Sequence, residues 1–219
     1  MPNWCSTYFN FHGSVEEITD FHTKLNEWMN KNFIETGFKE VWLGNLLYGV
    51  GLEKTIDVDD DSRIRCRGWV EYIGDIDNLG DEAVFQVDTN TAWAPMIKVW
   101  TETIKALKYK TVGFSYMAEE SGMELYEIWD PYGDFPDRYY IDYYLEGEDG
   151  KNEELIRNLE AIRHTATDEE IVAGLQKILN TKITDLEKLM IEISHYPFKD
   201  DDSYIYVYKY YLRENLEEY

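Results

Sequence analysis

The stretch AVFQVDTNTAWAPMIKVWTETIKAL, residues 83–107, contains the pattern of a strand, a turn and a helix in one continuous run. Residues 83–88 alternate between two faces, with Ala83 and Phe85 on the apolar one, which is the period of a half-buried strand. Residues 89–91 are Thr-Asn-Thr and predict a turn, because such side chains bond to their own backbone. The next residues carry an apolar stripe at helical spacing, formed by Met96, Val99, Trp100, Thr103, Ile104 and Leu107.

The segments before this unit predict further strands and one more helix. Residues 4–12 alternate like a strand, and Ser14 with Glu17 has the spacing of a capping box that opens a helix over residues 14–33. The second helix is expected over residues 95–108, with Pro95 in its first turn, where a missing N–H costs nothing. Residues 40–52 are apolar and rich in glycine, and we expect a short strand there.

The C-terminal part of the chain has a different pattern. Its polar, glycine-containing start suggests a boundary that divides the chain into residues 1–145 and 146–219. Helices are expected near residues 168–180 and 184–195, joined closely enough to form a hairpin. A Tyr-rich strand, Tyr204–Tyr211, follows and should join a sheet, since an exposed strand of this kind invites aggregation.

The charge of the chain is strongly negative. Its 219 residues include 21 Lys and Arg against 44 Asp and Glu, a formal net charge of −23. Such a surface repels free nucleic acid and anionic membranes and attracts basic proteins. The alternative is that the acidity only keeps an aromatic-rich protein soluble. The chain lacks a leader pattern and an apolar run of the ~18 residues that span a membrane, so we expect a soluble protein.

Two acidic clusters are the candidate partner-binding residues. They are Asp57, Asp59, Asp60 and Asp61 in the first cluster, and Asp200, Asp201 and Asp202 in the second. The first cluster is also similar to the opening of a calcium loop. That interpretation is disfavoured, because the sixth position is Ser62 rather than Gly and the twelfth is Gly68 rather than Glu.

A short basic run follows the first acidic cluster. Its residues Arg63, Arg65, Arg67 and Trp69 recur at period two, which would place them on one face of a strand. Guanidinium groups beside an aromatic ring are typical of single-stranded nucleic-acid binding. Neighbouring carboxylates or stacking on the indole are the structural alternative.

Sequence motifs for catalysis or cofactors are missing. The four histidines are scattered, and the two cysteines, Cys5 and Cys66, form no metal-binding or redox motif, so we expect reduced, buried thiols. No phosphate-binding loop or nucleophile elbow is present. We therefore expect no cofactor, no bound metal and no catalytic residue, although a metal site built from scattered carboxylates would leave no motif.

Two short strings together carry a resemblance to a known family. The opening Met1-Pro-Asn-Trp-Cys5 and the later Thr91-Ala-Trp-Ala-Pro95 resemble the YubB-type ferredoxin-like family of phage and plasmid proteins, over about residues 1–130. Thr7 departs from the Asn expected for that family. The resemblance implies a β-α-β-β-α-β core and a protein encoded by a mobile element. It implies no established activity. Trp4 and Trp93, within the two strings, are expected to fill the core.

These observations predict an α+β fold: a ferredoxin-like antiparallel sheet with two helices on one face, plus a C-terminal helical hairpin and Tyr-rich strand. The predicted function is inhibition of a basic host defence protein, such as an RNA-guided CRISPR nuclease, by occupying its nucleic-acid surface in the bacterial cytoplasm. One alternative is a metal-dependent nuclease that acts on the RNA of such a complex. The other is a binding module whose acidity is incidental.

Overall fold

The computed structural model describes residues 3–31, 33–38, 41–56, 63–145, 152–163, 165, 167–198 and 202–216. The protein is of the mixed α+β class and divides into two compact units. The first comprises Met1–Asp134 with Leu212–Tyr219, and the second comprises Phe135–Tyr211. The predicted division after residue 145 falls inside the second unit, because strand pairing joins the segments on either side of it.

The first unit is built on one antiparallel sheet. Its elements are β1 (Trp4–Ser14), α1 (Val15–Met29), α2 (Asn45–Gly49), β2 (Gly68–Ile73), β3 (Asp77–Leu79), β4 (Glu82–Ala92), α3 (Ile97–Leu107), β5 (Gly113–Glu120), β6 (Leu125–Trp129) and, through Leu212, β9 (Tyr211–Leu212). The strand order is β2-β4-β1-β5-β6-β9, and β3 pairs with β4. The central strand β1 therefore lies between β4 and β5, antiparallel to both.

Both long helices of this unit pack on the same face of the sheet. The Phe11 ring, on β1, lies 5.3 Å from the Phe21 ring of α1 and 5.0 Å from the Trp100 ring of α3, measured between centroids. Since one side chain of a strand points to one face only, α1 and α3 share that face. The predicted alternation of β1 is confirmed, because Cys5, Thr7, Phe9 and Phe11 are all buried.

The predicted capping box of α1 is only half present. The Ser14 hydroxyl accepts a hydrogen bond from the Glu17 N–H, as expected. The Glu17 carboxylate instead accepts from the N–H groups of Lys110 and Thr111, at 3.0 and 2.8 Å. The Ser14 N–H is satisfied by the Thr111 hydroxyl. The hydrogen bonds of Ser14 and Glu17 thus connect the start of α1 to the segment before β5, instead of closing a cap within the helix.

The turn predicted at residues 89–91 is wrong, since β4 continues to Ala92. Pairing with both β1 and β2 satisfies the backbone there, and this outweighs the local turn preference of Thr and Asn. The chain turns instead at Trp93, whose φ of 73° lies in the left-handed region. Pro95 precedes the first residue of α3 by two positions, so it does not lie in the first turn.

The strand predicted within residues 40–52 is also wrong, because residues Asn45–Gly49 form the short helix α2. Its residues Leu46 and Leu47 are fully buried in the core of the first unit. Gly49 lies directly against the Trp28 indole, where a Cβ atom would overlap the ring. Burial of consecutive leucines favours a helix here, since a strand would direct them to opposite faces.

The second unit has its own core between a small sheet and three helices. Its elements are β7 (Tyr139–Tyr144), α4 (Glu153–Arg163), α5 (Asp168–Leu179), α6 (Leu186–Ser194) and β8 (Tyr204–Lys209). The predicted helices are confirmed, and Thr167 and Glu170 form a complete capping box before α5. The helix α6 is capped by Asp185, whose side chain accepts a hydrogen bond from the Lys188 N–H. Gly174 allows close packing of α5 on α4, because a Cβ there would overlap Ile162.

The predicted Tyr-rich strand joins a sheet, as β8 pairs antiparallel with β7. The strand is interrupted at the buried Tyr210 and resumes as β9. Ile205 and Val207 face the core, which leaves the tyrosines Tyr204 and Tyr206 exposed on the other face. Among the helices described, none combines the length and the apolar character needed to cross a membrane.

Candidate binding surfaces

Most of the acidic residues predicted to bind a partner lie outside the described residues. These are Asp57, Asp59, Asp60, Asp61, Asp200 and Asp201. Asp202 is described, and it is exposed in the bend that precedes β8. Sequence reasoning missed another acidic surface, which the strands of the first unit create.

The sheet of the first unit has an acidic face opposite the helices. The register pairs Ser6 of β1 with Glu119 of β5, and Tyr8 of β1 with Asp88 of β4. Glu71 of β2 joins them, because its carboxylate accepts hydrogen bonds from side chains of this face. We call Glu71, Asp88 and Glu119 the acidic sheet face. In the described strands β1 to β6 and β9 there is no Lys or Arg at all.

A set of hydrogen bonds orients the Glu71 carboxylate. Its Oε2 atom accepts from Trp69 Nε1 at 2.5 Å and from Asn90 Nδ2 at 3.1 Å. Asn90 Oδ1 in turn accepts from the Ser6 hydroxyl at 3.1 Å. These bonds hold the charge of Glu71 over the sheet instead of letting it swing away into solvent.

Burial, and after it the neighbouring carboxylates, raise pKa values on this face. Burial raises the pKa of Asp88, the hydrogen bond from Gln86 opposes this, and the Glu71 charge raises the pKa further. Burial also raises the pKa of the Tyr8 phenol, with added contributions from Glu119 and Asp88. A nearby positive charge would therefore be favoured at this face, because it would relieve the repulsion between Glu71 and the partly desolvated Asp88.

Aromatic rings border the acidic sheet face at one end. The Trp4 ring lies 4.7 Å from the Trp69 ring, and the Phe38 ring stacks on Trp69 at 5.8 Å. The expectation that Trp4 fills the core is wrong: it is on the open face and 38% exposed. Tyr72 is 52% exposed, because a β-bulge between Val70 and Tyr72 shifts the strand.

The predicted basic row alternates with buried residues as expected, but three of its four members precede the strand. Strand β2 begins only at Gly68, so Arg63, Arg65 and Arg67 lie in the preceding irregular segment, all exposed. Arg63 and Arg65 line one cavity, whereas Arg67 lines a different one with Trp42 and Cys66. The fourth residue, Trp69, packs in the aromatic cluster and donates to Glu71.

The cavity beside Arg63 and Arg65 has a volume of about 300 Å³. Its other described lining residues are Ala92, Trp93, Ala94, Pro95, Met96, Ile97 and Lys98. We call it the basic pocket, since three of these side chains are cationic and none of the described lining residues is acidic. Trp93 was expected to fill the core, but it is 45% exposed at the pocket because its positive φ turns it out of the strand.

Groups suited to metal binding or nucleophilic chemistry do not gather in the part of the chain that the structure describes. No three His, Cys, Asp or Glu side chains there are placed to hold a metal ion. The His12 Nε2–H instead donates to the Asp134 carboxylate at 2.8 Å, and the His12 ring stacks on Tyr132. The free thiols Cys5 and Cys66 are buried, as predicted, and burial raises the pKa of each to about 12.

These thiols are expected to be unreactive in the folded protein. At pH 8 a thiol of pKa about 12 is ionised in only about one molecule in ten thousand, so a disulfide reagent should label neither cysteine until the protein unfolds. An unfolded thiol ionises near pH ~8.5, and between that pH and about 12 the native state holds more protons. Stability should therefore fall as the pH rises through this range. Rapid labelling of native protein at pH 8 would contradict the burial.

One feature of the sequence does indicate the acidic sheet face. Residues 68–97 contain Glu71, Asp75, Asp77, Asp81, Glu82 and Asp88 but no Lys or Arg. Which of these carboxylates meet Glu119 depends on strand order, which periodicity does not reveal. No family model, curated protein or solved structure matches the chain.

Proposed function

We propose that this protein is a binding protein that attaches to a basic, nucleic-acid-binding partner through its acidic sheet face. The observation that carries the proposal is the charge of the sheet: its described strands bear carboxylates and no Lys or Arg. At a net charge of −23, electrostatic attraction favours association with a basic partner.

The chemistry of the face fits arginine and lysine side chains. Glu71, Asp88 and Glu119 supply negative charge, and the rings of Tyr8 and Tyr72 supply surfaces on which a guanidinium group can stack. RNA-binding domains that use a four-stranded sheet place aromatic rings and phosphate contacts there. The acidic sheet face also has aromatic rings, but it carries negative charge. It therefore suits arginine and lysine side chains, which normally bind phosphates.

Two finer predictions are part of this proposal. We infer a ferredoxin-like arrangement for the first unit, supported by the order β2-β4-β1-β5 with α1 after β1 and α3 after β4. The resemblance to YubB-type proteins of mobile elements then makes a host defence nuclease, such as an RNA-guided CRISPR nuclease, the first partner to test. By occupying the nucleic-acid channel of the nuclease, the protein would inhibit it without catalysing a reaction.

The test removes charge while keeping shape. Glu71→Gln, Asp88→Asn and Glu119→Gln are combined, and binding is measured by titration calorimetry against an RNA-guided nuclease without its guide and against an arginine-rich peptide. We expect binding to weaken about tenfold or more, from lost charge pairs at a partly desolvated surface. We also expect a shallower salt dependence, because fewer charges remain to be screened over a Debye length of ~8 Å.

The matched control is Glu16→Gln, Glu27→Gln and Glu102→Gln, which removes the same charge from α1 and α3 on the other face of the sheet. This control should weaken binding by less than about threefold, since distant exposed charges act mainly on the rate of encounter. Equal losses in the two triple variants would show that only net charge matters, and the proposed face would then be wrong.

A further inference from the structure

The basic pocket is a cationic cavity on a strongly acidic protein. Arg63 and Arg65 reach it from the segment before β2, and Lys98 reaches it from the first turn of α3. Thus its charge comes from two segments that are distant in the sequence. A volume of about 300 Å³ is at the lower end of the range for small-molecule sites.

An indole ring forms part of the pocket wall and is held there by the backbone. The Trp93 N–H donates to the Asn3 carbonyl at 3.0 Å, and the Thr91 hydroxyl donates to the Ala94 carbonyl at 2.8 Å. The positive φ of Trp93 costs on the order of 1–3 kcal/mol for such a residue. These hydrogen bonds therefore keep Trp93 at the cavity although its backbone conformation lowers the stability of the protein.

The start of α3 adds to the positive character of the pocket. No side chain caps this helix at Met96, and no acidic residue stands in its first turn. Ile97 and Lys98 both line the cavity, so the leading end of the helix borders it. The partial positive charge of a helix N-terminus thus acts in the same direction as the three cationic side chains.

We propose that the basic pocket binds a nucleoside phosphate, with the phosphate held by Arg63, Arg65 and Lys98 and the base stacked on Trp93. Guanidinium and ammonium groups recognise phosphate through charge-assisted hydrogen bonds, and every base can stack on an indole ring. The ligand is a free mononucleotide rather than a strand, because each further phosphate would meet the repulsion of a protein with net charge −23.

The binding experiment uses the full chain and four ligands. Titration calorimetry with adenosine 5′-monophosphate, adenosine, inorganic phosphate and a 5′-phosphorylated tetranucleotide should give the tightest binding for the mononucleotide. Tighter binding of the tetranucleotide would overturn the assignment to a free ligand. Absence of saturable mononucleotide binding at millimolar concentrations would overturn the site altogether.

Variants separate the two halves of the proposed site. Lys98→Gln should weaken mononucleotide binding about tenfold, the usual effect of losing a hydrogen bond to a charged group. Lys105→Gln is the matched control, on the same helix but outside the basic pocket, and should leave the affinity within about twofold. Trp93→Gly removes the ring and suits the positive φ, so the protein should stay folded while the affinity falls to that of inorganic phosphate.

If Lys98→Gln and Lys105→Gln weakened mononucleotide binding equally, the affinity would depend only on the net charge of the protein. That result would overturn the proposal. Unchanged mononucleotide affinity in Trp93→Gly would remove the base-stacking part and equally contradict it. Neither result depends on the acidic sheet face, whose own variants leave every described lining residue of the basic pocket intact.

Discussion

Trp100→Ala is expected to lower the free energy of unfolding by roughly 3–5 kcal/mol, the usual cost of truncating a large buried aromatic residue. Trp100 is fully buried, and its ring lies 5.2 Å from Phe9 and 5.0 Å from Phe11. Its removal leaves a cavity where α3 contacts the central strand, and rigid neighbouring rings fill such a space poorly. Denaturant unfolding followed by circular dichroism measures the loss.

The control for this prediction is Trp93→Ala, which truncates the same type of side chain at a partly exposed position. It should cost less than about 1.5 kcal/mol, because much less apolar area returns to water. Trp100→Phe is informative in a different way, since the Trp100 Nε1 atom is buried without a hydrogen-bond partner. Removing that N–H should offset part of the lost packing and keep the cost below about 2 kcal/mol. A loss below 1 kcal/mol for Trp100→Ala would mean that α3 does not pack as described.

Arg213→Met is expected to cost roughly 3–5 kcal/mol, because it leaves a buried carboxylate without its cationic partner. Arg213 Nε lies 2.9 Å from Glu127 Oε2, and the two side chains are only 14% and 6% exposed. Tyr116 also donates its hydroxyl hydrogen to Glu127, at 2.9 Å. Because the Arg213 N–H bonds to the Ile128 carbonyl as well, this pair fixes the returning C-terminal segment to β6.

A double-mutant cycle with Glu127→Gln measures the pair directly. The double variant should be more stable than Arg213→Met alone, since the uncompensated charge is gone. The matched control is Lys105→Met, which breaks the exposed pair between Lys105 and Glu102 and should cost less than about 0.5 kcal/mol. An Arg213→Met variant as stable as this control would contradict the buried ion pair.

The two binding proposals concern opposite charges on separate surfaces of the first unit. The acidic sheet face would hold a basic protein, and the basic pocket would hold a nucleoside phosphate. Salt should weaken the first interaction more steeply, since it involves many charges spread over a wide surface. The second depends on a few directed hydrogen bonds and one stacked ring.

Local sequence patterns predicted most elements of secondary structure correctly. The alternation in β1, the capping Ser14 of α1 and the apolar stripe of α3 were all readable from residues within a few positions of one another. These features depend on the side-chain period of strands and helices and on bonds within one turn, so they do not require knowledge of the rest of the fold. The burial of both cysteines followed equally from their type and position.

The sequence-based predictions were wrong where contacts with distant segments outweigh the local conformational preference of the residues. Pairing with two neighbouring strands extends β4 through a predicted turn, and the Glu17 carboxylate leaves its own helix cap to bind backbone beyond α3. Strand order brings Ser6, Glu71, Asp88 and Glu119 onto one face, and the turn at Trp93 brings Arg65 beside Lys98. Periodicity states which way a side chain points within its own strand. It contains no information about which strand lies next to it, and both candidate sites depend on that adjacency.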